Sequence, residues 1–311
     1  MKVDISVVVP AFNEAESLPE LIERNAHVLT SMNRTWEVIV IDDGSTDNSF
    51  EVLEDLQKTY SALRFFSFRR NYGKSAALEV GFGEAEGKYI ITMDADLQDD
   101  PAEIPELIGT LESGYDLVSG WKKVRHDPIS KTLPSKLFNR VTSMVAGIRL
   151  HDFNCGLKGY RSVVAKGLPV YGEMHRFLPA ISHWQGYRVT EIPVQHHSRK
   201  HGQSKFGPAR FVNGFLDLMT VSFVHSGKRS PLHIFGRIGL FLGLIGLAIL
   251  SVFLFGYLTG QGVRMRPIFF IALILVIIAM QFVSLGLLGE LVVKGHARPK
   301  YRFRTREDDD S

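Results

Sequence analysis

The sequence predicts an α/β protein: a doubly wound, mainly parallel sheet, followed by interfacial helices and two transmembrane helices. Three features carry this expectation. Short apolar runs alternate with helical segments from Ile5 to Ser119, as in a parallel sheet covered on both faces. Acidic residues recur where those runs end, which is where the ligand crevice of such a sheet lies. Farther on stand two uncharged runs, Ile238 to Leu258 and Pro267 to Gly289, each long enough to cross a bilayer as a helix.

Taken in order, Ile5 to Val9 reads as a buried strand ending in Pro10-Ala11-Phe12-Asn13-Glu14, and an amphipathic segment follows from Ser17 to about Thr30. Trp36 to Ile41 repeats the pattern and ends in Asp42-Asp43-Gly44-Ser45-Thr46-Asp47. Leu63 to Phe68 is a third strand, with a helix after it from Lys74 to Glu84. Tyr89 to Met93 is the fourth, with a helix after Pro101, and Asp116 to Ser119 the fifth. Gly81-Phe82-Gly83 follows a helix, not a strand, so it is no dinucleotide fingerprint. Gly73-Lys74-Ser75 resembles the end of a phosphate loop, but Phe68 occupies the position of the required upstream glycine.

The chain has 311 residues and a net charge of +3, which suggests one large domain with an appendage and does not mark a nucleic-acid binder. Its one cysteine, Cys155, excludes an intramolecular disulfide and fits a reducing compartment. With Asp4 to Pro10 already read as a strand, no signal peptide is expected. Asn33-Arg34-Thr35 matches a glycosylation acceptor, read here as a chance match.

The segment Lys88 to Pro101 organises the rest. Its strand stops at Asp94, and Asp96, Gln98, Asp99 and Asp100 follow. Asp94 and Asp96 then stand together at the sheet's rim, too close to be comfortable without a cation. Oxygen donors from a carboxylate and an amide suit Mg²⁺ or Mn²⁺, which completes its shell with phosphates and water. The competing reading is helix capping before Pro101, which fits Asp99 and Asp100 best. Asp43 to Asp47 is likewise good turn chemistry. Acids at the ends of three strands (Glu14; Asp42 and Asp43; Asp94 and Asp96) nonetheless suit a nucleotide-linked substrate.

Beyond the fifth strand, Lys122, Lys123, Arg125, Lys131, Lys136 and Arg140 form a basic stretch leading into a helix whose apolar side is expected at Leu137, Val141, Met144 and Val145. A solvated helix face would explain some of those charges. His151 to Gly156 is a polar turn, and Gln195 to Gly207 a second basic loop, read as a glycine-hinged phosphate clamp. His197 and His201 have metal-site spacing, but no other ligand motif accompanies them. Phe211 to Val224 suits a membrane interface. Lys228, Arg229 and Arg237 precede the first apolar run, Lys294, Arg298, Lys300, Arg302, Arg304 and Arg306 follow the second, and only Arg264 and Arg266 lie between. The positive-inside rule therefore puts both termini in the cytosol, and the basic tail should attract anionic lipids.

The segments V-V-V-P-A-F-N-E, D-D-G-S-T-D, D-A-D-L-Q-D-D-P and H-G-Q-S-K-F, in this order, resemble family 2 glycosyltransferases, and the resemblance covers essentially the whole chain. Within that family it is similar to dolichyl-phosphate mannose synthases and bacterial polyprenyl-phosphate hexosyltransferases. The resemblance implies the GT-A fold, a Rossmann-like doubly wound sheet, in a cytosolic catalytic domain over residues 1–207. Juxtamembrane helices over 208–233, a transmembrane hairpin over 234–293 and a tail over 294–311 would follow. It implies that Pro10, Phe12, Glu14, Ile41 and Asp43 hold base and ribose, and that Asp94 and Ala95 contact the nucleotide sugar. Asp96 and Gln98 would bind Mg²⁺ or Mn²⁺, and Lys205 and Arg199 would clamp the diphosphate. Lys122, standing where an arginine is expected, Arg125, Lys131 and Arg140 are candidates for the acceptor phosphate. Asp152 falls at the position of an acid beside the acceptor.

The Q-x-x-R-W motif of processive synthases is missing, the nearest segment being His183-Trp184-Gln185. The expectation is therefore inverting transfer of one hexose, from a GDP-mannose or UDP-glucose type donor, to a polyprenyl phosphate at the cytosolic face of the bilayer. Homo-oligomerisation stays open. Two alternatives stand beside this reading: a lipid-directed nucleotidyl- or phosphotransferase, and a non-enzymatic membrane scaffold or lipid-translocation partner.

Overall fold

The strands of the first part of the chain are β1 (Ile5–Ala11), β2 (Trp36–Asp42), β3 (Leu63–Ser67), β4 (Tyr89–Thr92), β5 (Leu117–Lys122), β6 (Lys158–Arg161) and β7 (Val189–Val194). In the computed structural model, which describes residues 3–123, 129–197, 218, 231–260 and 267–296, they form one sheet in the order β3-β2-β1-β4-β6-β5-β7. β1 runs parallel to β2 and β4, and β2 to β3. β6 is antiparallel to both of its neighbours, β4 and β5, while β5 and β7 are parallel. The first five strands fall where the apolar runs place them; the reversed β6 and the edge strand β7 lie outside that expectation.

The helices are α1 (Leu18–Ser31), α2 (Ser49–Thr59), α3 (Lys74–Glu84), α4 (Ile104–Glu112), α5 (Ile129–Ala146), the short α6 (Ser162–Ala165) and α7 (Leu178–Trp184). Strand side chains alternate between faces. Ile5, Val7 and Val9 of β1 join Leu18, Leu21, Ile22 and Leu29 of α1 and Leu107 and Leu111 of α4 in one core. Val8, Ile39, Ile41 and Ile90 point the other way, into a second core with Leu78 and Phe82 of α3, Tyr160 and Phe177. Each such fully buried side chain contributes about 1.5–3 kcal/mol. The glycines of Gly81-Phe82-Gly83 lie in α3, and a Cβ on Gly81 would come within 2.3 Å of Val8 Cγ1. Gly81 thus lets α3 approach β1 closely, a packing role rather than a nucleotide fingerprint.

α5 corrects the expected apolar face. Phe138 and Val141 pack on the second core, but Met144 and Val145 are exposed. The buried side is partly polar: Asn139 donates from Nδ2 to the His151 carbonyl at 2.8 Å, and its Oδ1 accepts from the Phe153 N–H at 3.4 Å. The amide thereby holds the turn that carries Asp152.

The chain divides into two units, Met1–Ser222 and Phe223–Ser311. In the second, α8 (Pro231–Leu258) and α9 (Pro267–His296) hold stretches of 27 and 25 residues that are long and apolar enough to cross a membrane. Small residues bring them close, since a Cβ on Gly239 would lie 2.8 Å from the Ala279 carbonyl oxygen and one on Gly246 2.9 Å from that of Ala272, the close backbone approach usual between membrane helices. Leu240, Phe241, Leu244 and Phe255 are exposed on α8. The expected interfacial segment from Phe211 to Val224 lies outside the described residues apart from Leu218, which is buried in the second core.

Candidate active site

Pro10 and Ile41 pair near the carboxyl ends of β1 and β2, so the residues expected to meet the nucleotide come together at one rim. Ile41 is wholly buried in the second core and paired with both Pro10 and Phe66, so its part in this rim is structural. Gly44 is left-handed, with φ 71°, and its missing Cβ would lie 2.3 Å from the Arg70 carbonyl carbon; only glycine fits where the two loops cross. Asp42 accepts from Ser45 N at 3.0 Å and from Ser67 Oγ at 2.6 Å. Asp43 accepts from the backbone N–H groups of Tyr72 and Gly73 at 2.7 and 2.9 Å, ahead of α3. Burial raises the Asp43 carboxyl, and those N–H groups oppose the rise. Ser17 Oγ donates to Glu14 Oε2 at 2.8 Å. The acids of β1 and β2 thus brace the loops they stand on.

The acid turn after β4 is more strongly charged. Lys74, at the start of α3, pairs with Asp94 Oδ1, and Lys122, at the end of β5, sits 3.1 Å from Asp99 Oδ1. Burial pushes the Asp94 carboxyl up, but Lys74, helped by Lys122 and Lys158, more than offsets it and brings it down to about 2. Burial works against the charge of Lys122, yet Asp99, with Asp94, holds that ammonium above its ordinary value. Between the acids, Leu97 is buried and left-handed, with φ 60°. For a bulky non-glycine residue that costs on the order of 1–3 kcal/mol and persists only where neighbours over-determine it.

Those neighbours are visible. The Gln98 N–H donates to Asp96 Oδ1 at 3.2 Å, Gln98 Nε2 lies 3.5 Å from the His197 carbonyl, and the His197 N–H donates to the Gln98 carbonyl at 2.9 Å. His197 Nε2 is 2.9 Å from Asp100 Oδ2, and an isolated bridge joins Asp99 to His196. The second basic loop therefore begins pinned to the acid turn. Capping is also present, since Asp100 accepts from Ala102 N at 3.0 Å.

A recess lies against this turn, with Lys74, Asp94, Asn154, Lys158 and His175 in its wall. The reversal of β6 builds it, pairing Lys158, the first residue of β6, with Thr92, the last of β4, and with Ser119 of β5. Lys158 is buried and donates to the Cys155 carbonyl. Cys155 itself is inert, because burial pushes its thiol up to about 12. Asp152 is also buried, and its Oδ1 accepts from Asn154 N at 3.1 Å, within the polar turn expected from His151 to Gly156.

Asp94, Ala95, Asp96, Gln98 and Lys122 are thus brought to one place. Arg140 is exposed on α5, Lys131 lies in the first turns of that helix, and Arg125, Arg199, Lys205 and His201 lie outside the described residues. Sequence reasoning missed Lys158 and His175 and set Lys74 aside with its rejected loop motif. A lysine inside the apolar run Gly156 to Tyr160 was the available signal.

A mixed α/β sheet with one reversed strand and an acid turn at its carboxyl rim is the GT-A-like architecture of sugar-nucleotide transferases. Glucosyl-3-phosphoglycerate synthase from Mycobacterium tuberculosis, solved with Mn²⁺, UDP-glucose and phosphoglyceric acid, shares the fold. It superposes with a TM-score of 0.56 at 20% identity over 71% of this chain and 80% of that one. Glycosyl transferase family 2 matches residues 6–168, and the chain belongs to that family. It is 37% identical to dodecaprenyl-phosphate galacturonate synthase of Rhizobium johnstonii over 99% of this chain and 94% of that protein. It is 35% identical to undecaprenyl-phosphate 4-deoxy-4-formamido-L-arabinose transferase of Edwardsiella ictaluri over 96% of this chain and 92% of that protein. Glycosyl transfer, rather than nucleotidyl transfer or a scaffold role, is thereby the activity class.

Proposed function

We propose that the protein transfers one sugar from a nucleoside-diphosphate donor to a polyprenyl phosphate, with inversion at the anomeric carbon. The observation that carries this reading is the lysine-flanked acid turn from Asp94 to Asp99 in a chain that also bears two membrane-length helices. The polyprenyl-phosphate relatives support the same acceptor class. Their sugars, galacturonate and 4-deoxy-4-formamido-L-arabinose by name, lend no support to the mannosyl or glucosyl type expected from sequence.

The donor set of the acid turn fits a hard divalent cation. Asp96 offers a carboxylate, and with Nε2 of Gln98 directed at the His197 carbonyl the amide presents Oε1 as an oxygen ligand. No group of three metal-ligating His, Cys, Asp or Glu side chains occurs among the described residues, as suits Mg²⁺ or Mn²⁺, which takes one or two protein carboxylates and fills its shell from phosphates and water. When bound, the cation supplies charge neutralisation for the departing diphosphate.

The chain's own residues do the rest. The β1 and β2 rim, with Pro10, Phe12, Glu14 and Asp43, receives base and ribose, and Asp94 and Ala95 border the sugar. Lys122 adds positive charge beside the acid turn, and Arg199 and Lys205 are assigned to the diphosphate. The acceptor phosphate monoester has a second pKa of about 6, so it attacks the anomeric carbon already ionised. The bond from that carbon to the donor phosphate oxygen breaks, and its electron pair leaves with the nucleoside diphosphate. An α-linked donor then gives a β-linked sugar phosphate. Arg125, Lys131 and Arg140 are assigned to the acceptor phosphate, and Asp152 to its placement.

In this reading residues 1–207 form the catalytic domain, 208–233 lie at the interface and 234–293 make a two-span hairpin, with both termini cytosolic by the positive-inside rule. The test is the full chain in detergent or nanodiscs, supplied with nucleotide sugars and undecaprenyl phosphate. One nucleoside diphosphate released per sugar-lipid formed is expected; release of pyrophosphate, or no sugar-lipid from any donor, would overturn the proposal.

A further inference from the structure

His151 is held more firmly than a surface side chain needs to be. Its side chain is 65% exposed, yet four contacts fix it. Glu191 of β7 accepts the His151 backbone N–H on Oε2 at 2.8 Å and meets the ring Nδ1 with Oε1. Asn139 of α5 donates to the His151 carbonyl at 2.8 Å. Trp121 of β5 stacks on the imidazole, with ring centroids 4.1 Å apart and planes 17° from parallel. The strand register assembles this group. Glu191 stands opposite Ser119 and Pro193 opposite Trp121, so Glu191 and Trp121 share one face of the β5–β7 pair.

Ordering an exposed side chain costs conformational entropy, and a ring ordered in advance binds a ligand without that cost. A carboxylate on Nδ1 requires the proton there. Nε2 is therefore the ring nitrogen left for another group, and no hydrogen bond engages it among the described residues. The surroundings favour an anion. Glu191 is already engaged by two His151 nitrogens, Lys123 Nζ lies 6.0 Å from the centre of the Trp121 ring, and α5 carries Lys131 and Arg140. The turn that starts at His151 passes through Asp152 and ends at Gly156, against the Asp94 carboxylate.

We infer that His151 binds the phosphate monoester of the lipid acceptor through Nε2, with Glu191 and Trp121 fixing the ring. The inference rests on the transferase reading above, since it adds a residue to the acceptor side of that site. Nε2 and one phosphate oxygen share a single proton, whichever group brings it. Another of the three phosphate oxygens is left for the attack.

The experiment measures KM for undecaprenyl phosphate on the full-length chain in nanodiscs, with the nucleotide sugar it turns over at saturation. His151→Asn keeps a donor near Nδ1 for Glu191 but places nothing at Nε2, whereas the longer His151→Gln reaches the Nε2 position. His151→Asn should raise the acceptor KM about 10- to 100-fold, the worth of one hydrogen bond to a charged group, and leave the donor KM unchanged. His151→Gln should recover most of that loss. An unchanged acceptor KM, an equal rise in both KM values, or harm from Gln but not from Asn would overturn the inference and leave the transferase reading standing.

A second measurement needs no variant and decides alone should the variants fail to fold. Diethyl pyrocarbonate acylates accessible imidazole nitrogens, and mass spectrometry follows the reaction at His151. Undecaprenyl phosphate should slow it, whereas undecaprenol, which lacks the phosphate, and phosphatidylglycerol, whose phosphate is a diester, should not. Equal protection by phosphatidylglycerol would assign His151 to bilayer headgroups, and no protection by undecaprenyl phosphate would leave it outside the acceptor site; either overturns the inference alone. Failure of the unmodified chain to form sugar-lipid from any donor would overturn the transferase reading and this inference with it.

Discussion

Gly156 lies flat against the Asp94 carboxylate: a Cβ on Gly156 would fall 2.5 Å from Asp94 Cγ and 2.6 Å from Oδ2. The Gly156 carbonyl is held from the other side by the Thr92 hydroxyl at 2.8 Å. The backbone therefore cannot back away, and the carboxylate must yield to any side chain placed there. Gly156→Ala should displace Asp94 from Lys74 and lower kcat/KM for transfer at least about tenfold. Overpacking of this kind costs about 1–3 kcal/mol, so a fall in melting temperature should accompany it. Unchanged kinetics would show that the position of Asp94 is immaterial to the reaction.

The cation site proposed at Asp96 and Gln98 has a test independent of turnover. Asp96→Asn changes volume little but removes the hard anionic donor. It should weaken Mn²⁺ binding, read by electron paramagnetic resonance in the presence of nucleoside diphosphate, by more than the 10- to 100-fold typical of outer-shell changes. Gln98→Ala should weaken it less. Retained Mn²⁺ affinity in Asp96→Asn would remove that residue from the site, and a chelator should silence the unmodified enzyme.

Of the five strands legible in the sequence, β1, β2, β4 and β5 are buried on both faces over most of their length, so they read as apolar runs whatever surrounds them. The edge strand β3 is only half-buried and is marked by Leu63, Phe65 and Phe66. α2 was passed over although Val52, Leu53 and Leu56 lie at helical spacing and pack on the first core; the acidic turn before it drew the reading instead. β6 has four residues, Lys-Gly-Tyr-Arg, and is a strand only because β4 and β5 flank it. For the same reason Lys158 was hidden as a site residue: its place beside Asp94 comes from the antiparallel pairing of distant segments. His175 meets Ser75 across 100 residues, a separation over which no local pattern reports. The motif acids were legible as a group, but not their individual duties, since Asp42 and Asp43 spend lone pairs on neighbouring loops.

His175 makes stability depend on pH in a defined direction. Its folded pKa lies well below the ordinary 6.5, first because it is buried and then because Lys74, Arg176 and Lys158 surround it. Between the folded value and 6.5 the unfolded chain binds the proton more readily, so stability rises with pH across that window and is lost as pH falls through it. Thermal unfolding of the full chain from pH 5 to 7.5 should show this slope. His175→Asn, which retains a polar group near Ser75 but cannot titrate, should flatten it. An equal slope in that variant would assign the dependence to other groups.

Asp152 separates proton transfer from positioning. Its Oδ1 already accepts from Asn154 N at 3.1 Å, and Asn139 fixes the turn on either side of it through the His151 carbonyl and the Phe153 N–H. In the proposed reading a carboxylate so held orients the acceptor. A general base would typically contribute 10²–10⁴-fold, but a phosphate monoester with a second pKa of about 6 is mostly ionised near neutrality and gains little from one. Asp152→Asn keeps an acceptor oxygen for the turn while removing the charge. It should lower kcat/KM for the lipid acceptor substantially and leave the acidic limb of the pH–rate profile where the acceptor phosphate sets it. The measurement runs from about pH 5.5 to 8.5 on both proteins, spanning the phosphate's own pKa. If the acidic limb vanishes in the variant, Asp152 is the titrating base; if turnover and limb are both unchanged, its part is confined to the turn.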